Sequence, residues 1–254
     1  MGYEVKQAGI TVFTVTNDPE TTGAKLLQNT AEAWGWPLEW YIQKEGWDKT
    51  FRAQQLGQLA VLTAHPENQY FLYTDAWDTL FVGPMPELYD KLQPGVVTFS
   101  GDTVLHEAWQ NYQFKARLTP EAFPPVGYGQ FPFVNDGVIW GDSRLMIRLC
   151  EDYLNNYRPE IINQDYFNVK VAAELALFNG RLRIDSKAEV VLDLMGTQNR
   201  HVVDLPGHRV KYVPTGSLPI VLHFPGLGIE ASKVMPRFLW DFHQLATESV
   251  SEGS

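Results

Sequence analysis

Tyr70-Phe71-Leu72-Tyr73-Thr74-Asp75-Ala76-Trp77-Asp78-Thr79-Leu80-Phe81-Val82-Gly83 is the stretch from which the rest of the chain can be read. Its first five residues are apolar or β-prone without alternation, the pattern of a short parallel strand buried on both faces. Two aspartates three positions apart follow at the carboxyl end of that strand, where open α/β sheets bind their ligands. In a continuing strand, positions three apart point to opposite faces, so Asp75 and Asp78 meet only if the chain turns just after Asp75. If it does, they form a hard-oxygen site suited to Mg²⁺ or Mn²⁺.

Upstream, Ile10 to Thr16 is rich in β-branched residues and reads as the first strand, broken by Asn17-Asp18-Pro19. A helix over Thr22 to Trp34, a strand over Leu38 to Ile42 and a helix over Phe51 to Ala64 then deliver the chain to the Tyr70–Thr74 strand. Alternation at this spacing predicts an α/β fold with a mostly parallel central sheet flanked by helices. No GxGxxG or Walker A pattern occupies the first βα turn.

Downstream, Val96 to Ser100 reads as a strand. Residues 101–132 are rich in aromatics, Pro and Gly and weakly periodic, as a lid or binding loop is. Phe133 to Gly141 is a strand interrupted by Asn135-Asp136-Gly137. That interruption reads as a hairpin turn, or as a bulge that re-aims polar side chains. Ser143 is placed to cap a helix through Tyr157, and Asn163 opens another that runs to about Phe178. Leu182–Ile184 and Val190–Leu194 are short strands, and 196–217 reads mostly as loop. Pro219 to His223 is a last strand, a helix follows over Met235 to Ala246, and 247–254 forms a frayed tail. No linker divides the 254 residues, so one domain is expected, with its core over about 10–246.

A net charge of −10 argues against general affinity for a nucleic-acid backbone, while leaving room for a local basic groove. The single cysteine, Cys150, excludes an internal disulfide. With no apolar leader core and no run of membrane-spanning length, a cytoplasmic protein with no membrane association is expected.

His223 also ends an apolar strand, and a parallel sheet puts it on the same edge as the two aspartates. Two carboxylates and an imidazole leave positions open on an octahedral ion, which a diphosphate can fill. Each group has a plainer reading, a solvated acidic pair or a hydrogen-bonded histidine, but the coincidence of three strand-end groups favours the metal site. Trp77, between the aspartates, is badly placed for core packing and well placed to stack on a base or a sugar. Asp165 with Gln164 either complements a helix dipole or faces a reacting sugar.

In their order these stretches resemble a known family. Tyr73-Thr74-Asp75-Ala76-Trp77-Asp78, Phe99-Ser100-Gly101-Asp102, Phe133-Val134-Asn135-Asp136-Gly137, Asn163-Gln164-Asp165 and Leu222-His223-Phe224-Pro225-Gly226 look like the glycosyltransferase domain of the procollagen lysyl hydroxylase/glycosyltransferases. The resemblance implies a GT-A type, Rossmann-like fold and transfer of glucose or galactose from a UDP-sugar. It implies Mn²⁺ (or Mg²⁺) held by Asp75, Asp78 and His223, with Trp77 on the uracil. Thr14, Thr16 and Gly226 would lie at the nucleotide, and Trp109 corresponds loosely to a family tryptophan. Asp165, Asp102, Gln164, Asn135 and Asp136 are the candidates around the reacting sugar. Asn163-Gln164-Asp165-Tyr166-Phe167-Asn168 departs from the family's acidic run and looks more like the D-Q-D-x-x-N of glycogenin-like retaining enzymes. The acceptor implied is a glycan, a hydroxylated protein side chain or a hydroxymethylated DNA base. A non-catalytic nucleotide-sugar-binding module and a metal-dependent phosphotransferase are the rival classes.

Overall fold

The first half of the central sheet is laid down by two β-α-β crossovers. Strand β1 (Gly9–Thr16) is followed by helix α1 (Thr22–Trp34), β2 (Leu38–Ile42), α2 (Arg52–Ala64) and β3 (Asn68–Thr74). β1 pairs in parallel with both β2 and β3. The computed structural model describes residues 9–44, 51–103, 123, 127, 129–159, 162–176, 180–194, 202–205 and 209–225. The helix expected over Met235 to Ala246, the tail, Trp109, Gly226 and most of the 101–132 segment lie outside these.

Local chemistry fixes the ends of α1. The Thr21 hydroxyl accepts from the Ala24 amide at the start, and Gly35 closes the helix in the left-handed region at φ 70°. Its buried stripe of Ala24, Leu26, Leu27 and Ala31 faces the sheet.

After β3 the chain leaves the main sheet for β4 (Thr79–Phe81) and the single turn α3 (Pro86–Tyr89), then returns in β5 (Val97–Asp102). Next come β6 (Phe133–Asp142), α4 (Ser143–Asn155), α5 (Asn163–Ala176) and β7 (Leu182–Asp185). The six-stranded order is β2-β1-β3-β6-β5-β7. β6 runs antiparallel to both its neighbours, while β5 and β7 pair in parallel. The sheet is therefore mostly parallel, with one reversed strand at its centre.

A smaller sheet, β4-β11-β8, is built from β4, β8 (Val191–Asp193) and β11 (Val221–His223). β9 (Val202–Leu205) and β10 (Arg209–Tyr212) form an antiparallel hairpin within the segment expected to be mostly loop. Its second strand alternates polar and apolar residues with the pleat, which is why it pairs.

Alternation along the strands divides the apolar residues into two layers. Phe13, Val15, Phe71, Tyr73 and Phe99 pack with Leu62, Met146, Leu149 and Phe167 of α2, α4 and α5. Val12, Tyr70, Leu72, Val138 and Trp140 pack on the opposite face with Leu27 and Ala31 of α1 and with Phe81 and Val221 of the small sheet. Among the described residues no helix is long and apolar enough to cross a membrane.

Two local expectations are corrected. Asp142 caps α4 in place of Ser143, its Oδ1 accepting from the Leu145 amide at 3.0 Å. Adjacent Asp and Ser are both good caps, and the one whose oxygen reaches an amide three residues on takes the position. Asn135-Asp136-Gly137 is a bulge within β6 and not a hairpin turn. Phe99 of β5 pairs with Ile139, but the next residue, Ser100, pairs with Asn135. The residues between swell out of the β5 side of the ladder. On the other side Val138 keeps its place opposite Thr74.

Candidate metal centre and cleft

The chain does turn just after Asp75, and the turn is tied down on every side. The Asp75 amide donates to the Gly137 carbonyl at 2.6 Å, and the Phe224 amide donates to the Asp78 carbonyl at 2.8 Å. The Thr79 hydroxyl bonds the Asp75 carbonyl and accepts from Thr74 Oγ1 at 2.6 Å. A Cβ on Gly23 would fall 1.9 Å from the Trp77 carbonyl oxygen, so the first turn of α1 can lie against this bend only as glycine.

With that turn made, ligand-capable atoms of Asp75, Asp78 and His223 all lie within 4.8 Å of one another. Asp75 and Asp78 are half-buried and His223 is buried. His223 Nε2 stands 3.6 Å from Asp78 Oδ1, and neither of these atoms has a hydrogen-bond partner. Buried polar atoms left unpaired while facing one another are costly alone and satisfied by a shared cation. Two carboxylate oxygens and an imidazole nitrogen suit Mn²⁺ or Mg²⁺, so the residues fit the ion expected from the sequence.

Space for an ion is kept by the bulge. A Cβ at Gly137 would meet His223 Cε1 at 2.3 Å, His223 Nε2 at 2.4 Å and Asp75 Oδ2 at 3.0 Å. Gly137 is thus part of the site through what it lacks.

Asp75 is the most tightly held of the three. Its Oδ1 accepts from Gln54 Nε2 at 2.7 Å and from the Tyr73 hydroxyl at 2.5 Å, and Gln54 Oε1 in turn accepts from Asn163 Nδ2 at 3.0 Å. Burial, then the neighbouring Asp78, pushes the Asp75 carboxyl up to about 7, against the pull of His223 and the two donors. Burial alone would lower His223, but Asp78, Asp193 and Asp75 outweigh it and hold the imidazole up at about 9. Such mutual perturbation at a strand-end cluster makes it a candidate functional site.

The centre opens into a cleft of about 400 Å³. Asp102, Asn135, Asp136 and Gln164 line it as polar groups, with Phe51, Ala76, Trp77 and Pro225 among its apolar walls. Asp136 is buried with Oδ2 unpartnered, and burial followed by the Asp75 charge raises its carboxyl well above the usual range. Gln164 Nε2 donates to the Val134 carbonyl at 3.0 Å, and Asn168 Oδ1 accepts from the Val134 amide at 2.9 Å. Together they clamp the strand just before the bulge.

Asp165, in the first turn of α5, is buried with Oδ1 unpartnered, and burial pushes it up to about 7. It does not line the cleft, but it lies close enough to Asp136 to raise that carboxyl further. Thr14 is buried in β1, and Thr16 accepts from Trp77 Nε1 at 2.9 Å. Val15, on the opposite face of that strand, is the β1 side chain that lines the cleft.

Four residues that sequence reasoning passed over belong here. Gln54 and Tyr73 hold Asp75, and Asp193 faces His223 with its Oδ2 3.8 Å from Nδ1. Phe51 stands at the cleft mouth, 38% exposed, with φ 59° and ψ 25° in the left-handed region that disfavours a side chain. Asp193 carried a signal, because it too ends an apolar strand. The others did not.

No protein-family model matches the chain, and no curated protein matches it in sequence. Among solved structures it is similar to a crystal structure of a glycosyltransferase involved in the glycosylation of the major capsid of PBCV-1. The TM-score is 0.53 at 12% identity, covering 90% of this chain and 99% of that one. At that identity the likeness establishes the fold, a GT-A type, Rossmann-like α/β architecture.

Proposed function

We propose that the chain is a single catalytic domain that transfers a hexose, glucose or galactose, from a UDP-sugar to an acceptor hydroxyl. The observation that carries this reading is the convergence of Asp75, Asp78 and His223 at the floor of a cleft, on a fold shared with a glycosyltransferase. A divalent cation held by these three residues supplies Lewis-acid neutralisation of the charge that develops on the departing UDP.

The protein's own groups do the rest. Tyr73 and Gln54 fix Asp75 in one orientation, so the carboxylate is preorganised before substrate arrives. Thr16 and the Asp18 carbonyl hold the Trp77 indole by its N–H, which leaves the ring face to stack on the uracil. Asp136 lines the cleft beside the three converging residues and, in its ionised form, takes the proton of the acceptor hydroxyl as the bond to UDP breaks and the new glycosidic bond forms. Asp102 contributes a second cleft carboxylate, and Asn135 and Gln164 place polar groups beside the sugar. The acceptor classes are a glycan, a hydroxylated protein side chain or a hydroxymethylated DNA base. The structural neighbour, which acts in capsid glycosylation, supports the glycan and protein options.

A panel of UDP-sugars incubated with Mn²⁺ and scored for donor hydrolysis tests the proposal. One UDP-hexose should be hydrolysed slowly and only with metal. Binding of UDP without hydrolysis or transfer of any donor would reduce the chain to a binding module. Release of phosphate from simple phosphate esters would make it a phosphotransferase.

A further inference from the structure

His223 is held between two carboxylates, and only one of them belongs to the proposed ligand set. β11 lies between β4 and β8, and its pairing with β8 sets His223 directly opposite Asp193. Backbone bonds lock the arrangement at both edges: the Leu194 amide donates to the His223 carbonyl and the Phe224 amide to the Asp78 carbonyl, both at 2.8 Å. Asp193 is 1% exposed and His223 2%. Nε2 faces Asp78 Oδ1 at 3.6 Å and Nδ1 faces Asp193 Oδ2 at 3.8 Å. Neither ring nitrogen has a hydrogen bond.

A neutral imidazole has one nitrogen that donates and one that accepts. For Nε2 to present its lone pair to a cation shared with Asp75 and Asp78, the proton must sit on Nδ1. Something must then accept it in a site closed to water. We propose that Asp193 is the positioning residue of the metal centre: it takes the Nδ1–H of His223, fixing the tautomer and ring orientation that deliver Nε2 to the ion. The present separation exceeds a hydrogen bond by roughly 0.7 Å, so the assignment requires the pair to close by that much when the ion binds. Carboxylates behind a ligating histidine also raise its basicity, and losing one typically weakens metal binding about 10- to 100-fold. The inference rests on the metal reading of Asp75, Asp78 and His223.

The test is Mn²⁺ affinity by titration calorimetry without any sugar nucleotide, on wild type, Asp193→Ala, Asp193→Asn and Asp75→Ala. It is joined by nitrogen-15 NMR of the histidine ring with Mg²⁺ bound. The expected results are a roughly 10- to 100-fold loss in Asp193→Ala and a smaller loss in Asp193→Asn, whose amide oxygen still accepts from Nδ1. The His223 proton should reside on Nδ1 in the ion-loaded wild type. Wild-type affinity in folded Asp193→Ala, or a proton on Nε2, overturns the assignment of Asp193 alone. Absence of Mn²⁺ binding by wild type, or no loss in Asp75→Ala, overturns the metal reading itself. If Asp193→Ala does not fold, the wild-type tautomer and the Asp193→Asn affinity decide.

Discussion

Replacing Gly137 by alanine adds one methyl group, and its effect can be worked from the coordinates. The new Cβ would sit 2.3 Å from His223 Cε1 and 2.4 Å from Nε2, where ordinary contact needs about 3.5 Å, so something must move by roughly 1 Å. Gly137 is not among the positive-φ glycines, so the backbone itself accepts alanine and the clash is the whole perturbation. His223 is buried and its strand is paired on both edges, so the ring has little room to retreat. Metal–ligand distances tolerate only about 0.2 Å, so a displacement of this size removes His223 as a ligand. Mn²⁺ affinity should fall at least about 10- to 100-fold, the loss that follows when even a group supporting a ligand is removed. Overpacking costs about 1–3 kcal/mol, a drop of several degrees in Tm that leaves the protein folded. Calorimetric Mn²⁺ titration alongside thermal unfolding separates the two effects. A folded Gly137→Ala variant with Mn²⁺ affinity within threefold of wild type would refute both the role of the bulge and the place of His223 in the ligand set.

Asp75→Ala should abolish sugar transfer and Mn²⁺ dependence together; full activity in that variant would remove Asp75 from the site. Asp165 has its carboxyl raised by burial from 3.8 to about 7, so the folded state holds a proton that the unfolded chain gives up. That contribution to stability is complete below about pH 4 and is lost as pH rises through 7. Asp165→Asn should therefore gain about 2 kcal/mol over wild type at pH 8, after allowance for solvent screening, and little at pH 4. Parallel denaturation curves at the two pH values would count against the raised carboxyl. Phe51→Gly should relieve about 1 kcal/mol of left-handed backbone strain and raise Tm slightly, while KM for the donor or acceptor rises several-fold. An unchanged KM would make the ring a bystander at the cleft mouth.

Much of the first half of the fold was legible because its signals are local. α1 and β2 begin and end where expected, since Thr21 and Gly35 terminate α1 by their own chemistry. The Asp75–Asp78 turn could be stated as a condition from spacing alone, and the structure meets it. His223 does end a strand, but that strand lies in the small sheet, antiparallel to β4, and not on an edge shared with β3 in one parallel sheet as expected. The reversed direction of β6 could not be read, because it is decided by where a long connection returns the chain and not by any residue within the strand. Asn-Asp-Gly gives the same local signal for a turn and for a bulge, and only the register with β5 tells them apart. Gln54 illustrates a harder limit. A glutamine on a helix is ordinary, and nothing in its neighbours announces that Tyr73 and Asp75 converge on it from another element.

The reversal of β6 also bears on how this architecture can diversify. Because β5 and β6 are antiparallel neighbours, residues 103–132 join two adjacent strand ends, and those ends carry Asp102 and Asn135 at the cleft. Such a connection needs no crossover helix and pays for added length only logarithmically, about 0.6 kcal/mol per doubling. Insertions, deletions or whole exchanges can accumulate there without altering any ladder of the sheet. The fold thus separates a floor fixed by the Asp75–Asp78 turn and the end of β11 from a connection whose length the sheet does not constrain.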